Sequence, residues 1–333
     1  MEGVIMRDFI YTPVKDIDGA IGALQHPNAR FIAGGTCLVD LMKLEVEVAE
    51  EIVDVNRLPL ADIHETSTGS LYIGAMARNS TVARHPVVLE QYPLLSQALL
   101  SGASAQLRNI ATVGGNLMQR TRCTYFRNTK EACNKRTPGM GCAAATGFHR
   151  MHAILGTSER CFATHPSDMS VALNALDAVI EVRGPRNTRR IPIGDFHTLP
   201  GETPHIETVL ERDELITSVE LPRLSGQYRS RYRKIRDRQS YEFALVSVAA
   251  MLSMSGTTIT DARVAFGGVA TKPWRSKEIE RILTGAAAGK ETFRAAAEAS
   301  VAGASPHPGN RFKVELLKRT LLRTLSELTG VSQ

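Results

Sequence analysis

The chain has 333 residues, of which 43% are hydrophobic and 22% are charged, so it can form one large or two to three ordinary globular domains. This composition excludes a disordered or fibrous protein. Forty basic residues against 34 acidic ones give a formal net charge of +6. Because this excess is mild and dispersed, it permits an anionic ligand, and we expect no nucleic-acid partner.

The sequence contains no recognisable targeting or membrane segment. Charged side chains are scattered through the first thirty residues, which lack the apolar stretch of a signal peptide. The charge-free run at 243–260 holds seven serine, threonine and glycine residues and is too polar to span a bilayer. We therefore expect no cleaved signal and no membrane span.

The opening third alternates between helical and strand patterns. Apolar spacing predicts a helix at 14–25, a strand at 30–33, a helix near 38–43 and a strand at 51–55. Short joints between strand, helix and strand predict a parallel pair. The sequence Gly34-Gly35-Thr36 follows the first of these strands, where free backbone N–H groups commonly bind phosphate.

A second loop of small residues lies further along the chain. After a predicted strand at 71–75 and a helical stretch at 82–100 comes the sequence from Thr112 to Asn116, which includes Gly115. Either glycine loop alone is better interpreted as a tight turn. Together, they suit a pyrophosphate held between two lobes.

The cysteine distribution is unusual. Five cysteines fit poorly with a disulfide framework, and Cys37 stands apart from the rest. The other four fall in a stretch at 116–166 that has no hydrophobic periodicity, and they are Cys123, Cys133, Cys142 and Cys161. Their spacing contains no CxxC, which leaves an iron–sulfur cluster, a zinc site and inert thiols open. Because this stretch has no predicted core, we expect a metal to hold it.

Histidines near these cysteines have ordinary interpretations. His149 and His152 are interpreted as surface or capping residues, and so is His165. The sequence from His165 to Asp168 is typical of a helix start, with Ser167 or His165 near the cap and Asp168 in the first turn.

The remaining sequence predicts a mixed second half, with a domain boundary near 224–226. The predicted strands are at 179–182, 190–193, 215–221, 229–236, 243–254 and 258–267, and the predicted helices are at 169–176, 273–283, 291–301 and 310–328. Most of the arginines at 229–238 alternate and are interpreted as one solvated strand face. Lys234 points to the opposite face from Arg233, and a lone inward lysine often serves an anion.

The two glycine loops resemble those of a known family. The sequence from Phe31 to Leu38 is similar to the first flavin loop, and the sequence from Ala111 to Asn116 to the second, of FAD-binding subunits in the xanthine dehydrogenase family of molybdenum hydroxylases. The resemblance covers nearly the whole chain. It implies an α+β fold of two domains. The first, at 1–225, would be a vanillyl-alcohol-oxidase (PCMH) type FAD-binding domain with two α/β subdomains at about 1–57 and 58–225. The second, at 226–333, would be an α+β domain of the CO dehydrogenase flavoprotein C-terminal type, with an antiparallel sheet and a helical bundle.

The resemblance also implies which residues contact FAD. Residues 30–38 would line the pyrophosphate and ribityl chain. Asp168 would accept a hydrogen bond from a ribose or adenine group. Ile216 would place its backbone against the adenine or flavin, and Lys234 would lie near the flavin edge. The complete expected set is Arg30, Phe31, Ile32, Ala33, Gly34, Gly35, Thr36, Cys37, Leu38, Ala103, Thr112, Gly115, Asn116, Asp168, Ile216 and Lys234.

The long insertion at 119–165 narrows the resemblance to flavin subunits of bacterial periplasmic aldehyde oxidoreductases. In those subunits the insertion carries a 4Fe-4S cluster, so the implied ligands are the four clustered cysteines. Cys37 lies in the flavin loop and is interpreted as a packing or flavin contact, not as a cluster ligand.

The expected function is therefore that of a redox subunit without catalytic residues of its own. It would pass electrons from a molybdenum-cofactor-binding large subunit and a 2Fe-2S small subunit through FAD to an acceptor such as ferredoxin, quinone or oxygen. The closest resemblance implies aldehyde oxidation and a periplasmic location, reached by export with a signal-bearing partner, and otherwise the cytoplasm. The alternative is a flavin-free, zinc-stabilised binding subunit.

Overall fold

The computed structural model describes residues 6–331, so the ends of the two predicted domains, at 1–5 and 332–333, lie outside the described residues. The first region comprises β1 (Ile10–Pro13), α1 (Ile17–Ala23), β2 (Ala29–Ile32), α2 (Leu38–Lys43) and β3 (Glu51–Asp54). Its strands form a sheet in the order β1-β3-β2 with parallel pairing, which confirms the predicted parallel pair. Strand β1 was missed because it is short, largely exposed and ends in proline.

The second region is a five-stranded antiparallel sheet in the order β4-β5-β8-β6-β7. Two of its helices, α5 and α9, share one core with strands of this sheet and with Tyr232, Ala249, Met251 and Ala265 of the next sheet. The elements are β4 (Ile63–Glu65), β5 (Leu71–Gly74), α3 (Asn79–Arg84), α4 (Pro86–Gln91), α5 (Pro93–Ser101), α6 (Ala105–Ile110), α7 (Val113–Leu117), α8 (Thr124–Arg127), α9 (Asp168–Ala175), β6 (Val179–Arg183), β7 (Thr188–Pro192), α10 (Ile193–Phe196) and β8 (Leu215–Leu221).

The prediction of one helical stretch at 82–100 was wrong in its continuity. Helices α3, α4 and α5 occupy this segment, and the latter two begin at Pro86 and Pro93. Proline has no N–H for the helical ladder but fits the first turn, so each proline ends one helix and starts another.

The third region is a four-stranded antiparallel sheet in the order β12-β11-β10-β9 with helices α11 to α13. Side chains of β10 alternate between two cores: Val248 and Ala250 pack towards the C-terminal helices, and Ala249 and Met251 pack towards α5 and α9. Within residues 6–331, no helix is long and apolar enough to cross a membrane. The elements are β9 (Arg229–Ile235), β10 (Val246–Ser255), β11 (Thr258–Gly267), β12 (Trp274–Arg275), α11 (Lys277–Leu283), α12 (Lys290–Ala299) and α13 (Phe312–Thr329).

The predicted helix at 273–283 starts later than expected. Trp274 and Arg275 pair with β11 as the short strand β12. The side chain of Ser276 then caps α11 by accepting a hydrogen bond from the Ile279 N–H. Trp274 and Arg275, which the apolar pattern assigned to the helix, therefore form backbone hydrogen bonds in the sheet instead.

The insertion at 119–165 contains little regular structure, but the expectation that it lacks a core was wrong. Phe126 is fully buried against Leu41 and Cys133. Ile154 and Leu155 belong to the core of the C-terminal region. These anchors lie far apart in sequence, so periodicity could not reveal them.

Candidate cofactor-binding site

Two adjoining cavities contain most of the predicted cofactor residues. The larger cavity, of about 530 Å³, is lined by Arg30, Phe31, Ala33, Gly34, Gly35, Thr36, Cys37, Leu38, Thr112 and Gly115. The second, of about 310 Å³, is lined by Ala103, Asn116, Asp168 and Lys234, and shares Thr36, Cys37 and Gly115 with the first. Ile32 and Ile216 line neither cavity, and Ile216 lies in β8 with its side chain in the large core.

The first glycine loop is built for close backbone approach. Gly35 has a φ of +68°, a conformation that favours glycine. A Cβ atom at Gly34 would overlap the backbone of Ile110, whose carbonyl carbon would be 2.8 Å away. The loop can therefore meet the segment before α7 only with glycine at position 34.

The second glycine sequence is the start of a helix rather than a loop. Thr112 is the N-cap of α7, and its hydroxyl accepts a hydrogen bond from the Gly115 N–H at 3.2 Å. The prediction of a loop was wrong because Thr112 begins a short helix, as threonine N-caps do. Gly114 packs closely against Ala75, where an added Cβ would lie 3.2 Å from the alanine Cβ.

Two residues that the sequence did not single out hold the loops together. The side chain of Asn56 donates to the carbonyl of Ala33 at 2.8 Å. Arg78 donates to the Asn56 side chain at 3.2 Å and also to the carbonyl of Ile110. No local motif marks either residue, because each acts between distant segments.

Asn116 is oriented by its neighbours. Its Oδ1 accepts hydrogen bonds from Gln119 at 2.6 Å and from the Ser167 hydroxyl at 2.7 Å. Ser167 also caps α9 by accepting from the Ser170 N–H, which confirms the predicted helix start. With Oδ1 engaged, the Nδ2 amide of Asn116 is left as the donor towards a ligand in the second cavity.

Beside the second cavity, a buried ion pair joins α9 of the second region to β9 of the third region. Nζ of Lys234 lies 2.8 Å from Oδ2 of Asp168 and 3.2 Å from the carbonyl of Ser101. The Tyr232 hydroxyl donates to Oδ1 of Asp168 at 2.6 Å, and burial together with this carboxylate raises the pKa of Tyr232. The anion that Lys234 meets is therefore Asp168 of the protein itself.

Replacing Asp168 with alanine should destabilise the protein by about 3 kcal/mol, because the Lys234 ammonium would stay buried without its partner. Urea unfolding of the full chain measures this effect. The double variant Asp168→Ala with Lys234→Met, which removes the uncompensated charge, should recover part of the loss. Equal destabilisation in the single and double variants would contradict this account.

A charged network forms one wall of the larger cavity. Glu207 accepts from Arg120 at 2.5 Å and from Lys135 at 2.9 Å, and Arg120 also pairs with Glu47. Burial alone would raise the pKa of Glu207, but Lys135 and Arg120 outweigh it and lower the pKa. Because Lys135 and Arg120 belong to the insertion, this network connects the insertion to the cavity wall.

The four clustered cysteines line one small cavity, although up to 38 residues separate them in sequence. Cys133 and Cys142 are bridge partners in an antiparallel pair. The buried Asn134 side chain accepts from the Gly141 N–H at 2.8 Å and donates to the Arg160 carbonyl at 3.1 Å. Asn134 thus ties together the segments that carry Cys133, Cys142 and Cys161.

These thiols lie in a setting suited to a soft metal group. Burial raises the pKa of Cys123 to about 12 and also raises the pKa values of Cys142 and Cys161. Backbone groups of Phe126 and Tyr125 act against this rise at Cys123, and the backbone of Ala163 does so at Cys161. Such groups would stabilise sulfur as thiolate once metal displaces the protons.

Among residues 6–331, no group of three or more His, Cys, Asp or Glu residues is arranged to hold a single metal ion. Cys37 lines the two larger cavities and is not among the residues around the four-cysteine cavity.

A third cavity, of about 160 Å³, lies between the cysteines and the second cavity and is called the bridging cavity here. Cys123 and His152 line it together with Asp168 and Phe243. Within the described chain, four of its lining side chains have a buried polar atom without a hydrogen-bond partner: Nε of Arg122, Nδ1 of His152, Nε2 of His165 and Oγ of Ser247. Such a polar space suits ordered water.

His152 corrects the expectation that it is a surface or capping residue, whereas His165 lies near the helix cap as expected. His152 is 5% exposed, and its Nε2 lies 3.2 Å from Sγ of Cys123. Burial lowers the pKa of His152 to about 4. His165 is near the helix start, where its Nδ1 accepts from the Ser167 N–H, and burial holds its pKa well below the usual value.

Comparison with known proteins identifies the family. Residues 7–224 match the family described as FAD binding domain in molybdopterin dehydrogenase, and residues 230–328 match the CO dehydrogenase flavoprotein C-terminal domain. The chain is 51% identical over 326 residues to the aldehyde oxidoreductase FAD-binding subunit PaoB of Escherichia coli (strain K12), which covers 97% of this chain and 98% of that protein. It is 28% identical over 279 residues to the glyceraldehyde dehydrogenase medium chain of Sulfolobus acidocaldarius, with 84% and 82% covered.

A solved structure of carbon monoxide dehydrogenase from Hydrogenophaga pseudoflava, which lacks the Mo-pyranopterin moiety of its cofactor, matches with a TM-score of 0.77 at 25% identity and covers 98% of each chain. The expected fold class is confirmed, since both domain families match and the antiparallel sheets are present. The chain belongs to the family of FAD-binding medium subunits of the molybdenum hydroxylases.

Proposed function

We propose that this chain is the FAD- and 4Fe-4S-containing electron-transfer subunit of a molybdenum-dependent aldehyde oxidoreductase. The 51% identity to an aldehyde oxidoreductase FAD-binding subunit over nearly the full length of both chains supports the substrate class. The observation that carries the proposal is the gathering of four distant cysteines around one cavity, beside the two cavities of the predicted flavin loops.

The residues of the two larger cavities fit FAD. Gly34 and Gly35 bring backbone close to the segment before α7, where Thr112 and Gly115 start a helix. Backbone N–H groups of the first glycine loop suit the pyrophosphate, and Asn116 offers its amide to the ribityl or ring portion. When bound, the flavin supplies the redox chemistry, and this chain supplies position and electrostatics.

The four-cysteine cavity supplies the ligand set of a 4Fe-4S cluster. Its four thiols surround one cavity, and four cysteine thiolates are the usual ligands of such a cluster. Backbone groups near Cys123, Cys142 and Cys161 lower the pKa of each thiol against the effect of burial, and hydrogen bonding of this kind tunes such clusters.

The partners in this proposal are a molybdenum-cofactor-binding large subunit and a 2Fe-2S small subunit, which together with this chain make a heterotrimer. Electrons from the aldehyde would reach the FAD of this chain and leave to ferredoxin, quinone or oxygen. The bridging cavity places Cys123 and Asp168 on the walls of one space. This arrangement supports a cluster that adjoins the flavin.

Rapid mixing of the assembled complex with an aldehyde, without oxygen, tests this role. We expect the flavin absorption of this subunit to bleach as the aldehyde is oxidised to the carboxylic acid. A matched sample with heat-killed large subunit should show no bleaching. Molybdenum reduction with the flavin left oxidised would contradict the proposal.

A further inference from the structure

His152 is the one side chain in the described residues that hydrogen-bonds to the sulfur of any of the four clustered cysteines. Its Nε2 lies 3.2 Å from Sγ of Cys123. The residue is 5% exposed, so bulk solvent has little access to this contact. The contact separates His152 from His149, three residues earlier, which instead stacks on His307.

The C-terminal region fixes the backbone at His152, and the insertion packs against its ring. The fully buried Asn310 donates from Nδ2 to the backbone carbonyls of His152 at 3.3 Å and of Ala153 at 3.2 Å. The ring of Phe162 packs against the imidazole, with ring centres 5.1 Å apart. A fixed backbone and a packed ring favour one hydrogen-bond geometry.

The chemistry of the sulfur decides the direction of this hydrogen bond. A cysteine sulfur bound to iron has no proton, so at 3.2 Å the hydrogen must come from Nε2 of His152. One-electron reduction of a 4Fe-4S cluster adds one negative charge, part of which falls on the sulfurs, and needs no proton transfer. A donor facing the sulfur therefore stabilises the reduced form more than the oxidised form.

We propose that His152 is a positioning residue that donates a hydrogen bond to the Cys123 ligand and raises the reduction potential of the cluster. This inference rests on the proposed function, because it assumes that the four cysteines hold the cluster. The electron comes from the aldehyde through the partner subunits or, in a titration, from a chemical reductant such as dithionite.

An EPR-monitored redox titration of the assembled complex tests the inference with three variants. His152→Met removes the donor at similar side-chain length. At a fixed potential its ratio of reduced to oxidised cluster should fall roughly fivefold, which corresponds to about 40 mV for a one-electron couple. His152→Gln places an amide N–H at nearly the same reach and should restore most of the potential. His149→Met, the control in the same loop, should match the unchanged protein.

Two results overturn the inference: an unchanged potential in His152→Met, or the same shift in His152→Gln as in His152→Met, which would indicate loss of packing only. If His152→Met fails to assemble its cluster, the unchanged complex labelled with ¹⁵N-histidine keeps the inference testable. Pulsed EPR of the reduced cluster should then show a ¹⁵N coupling that is absent in His152→Gln, and its absence from the labelled complex would refute the hydrogen bond. A complex whose unchanged medium subunit shows no 4Fe-4S signal would instead refute the proposed function.

Discussion

Gly34→Ala should abolish FAD binding. A methyl group at this position would overlap the backbone of Ile110, so the loop after β2 would have to move away from the start of α7. Because we expect the pyrophosphate to accept hydrogen bonds from the backbone N–H groups of this loop, a shift of the loop removes these donors. Flavin content of the purified chain, measured from its absorption near 450 nm and by extraction, checks the prediction.

Gly22→Ala is the matched control for this glycine. Gly22 lies in α1, and an added Cβ atom there meets nothing within 4 Å. This variant should keep its FAD and gain stability of about 0.5 to 1 kcal/mol from the better helix propensity of alanine. Stoichiometric FAD in Gly34→Ala, or equal loss in both variants, would mean that the pyrophosphate lies elsewhere.

Cys142→Ser should lose the iron–sulfur cluster and loosen the insertion. Cys142 is only partly buried, so the substitution removes a ligand with little effect on the protein core. Iron per chain should fall several-fold, and the insertion should become sensitive to limited proteolysis, because metal binding and local folding are coupled. Iron analysis and the fragments released by a protease check the two effects.

Cys37→Ser is the control for the cysteine variants. Cys37 lines the two larger cavities, and its sulfur accepts only a long hydrogen bond, from the Arg120 N–H at 3.5 Å. Its substitution should leave the iron content unchanged. Full iron content in Cys142→Ser, or loss of iron in Cys37→Ser, would show that the ligands are assigned wrongly.

Local patterns were sufficient for the parallel pair β2 and β3 and for the cap of α9 by Ser167, because each depends on residues close in sequence. The apolar pattern alone predicted one helical stretch at 82–100. The segment is divided because a new helix starts at each of its two prolines. The apolar run at β10 was also visible in the sequence. The local pattern could not show that side chains on the two faces of this strand pack into different cores.

The candidate site shows the same limit. Glycine-rich loops and cysteines are conspicuous in sequence, so most of the residues that the resemblance named line the cavities. Arg78, Asn134 and His152 were missed because each acts across a long sequence separation through ordinary hydrogen bonds. Lys234 was correctly expected to point inward, but its nearest anion is the carboxylate of Asp168.

The most direct measurement of the central claim is the cofactor content of the full chain purified without oxygen. The account predicts about one FAD and about four iron atoms per chain, with oxidised flavin bands over a broad iron–sulfur shoulder in the visible spectrum. A protein with FAD and one zinc ion in place of iron would contradict the cluster assignment. A colourless protein with stoichiometric zinc would contradict both cofactor assignments.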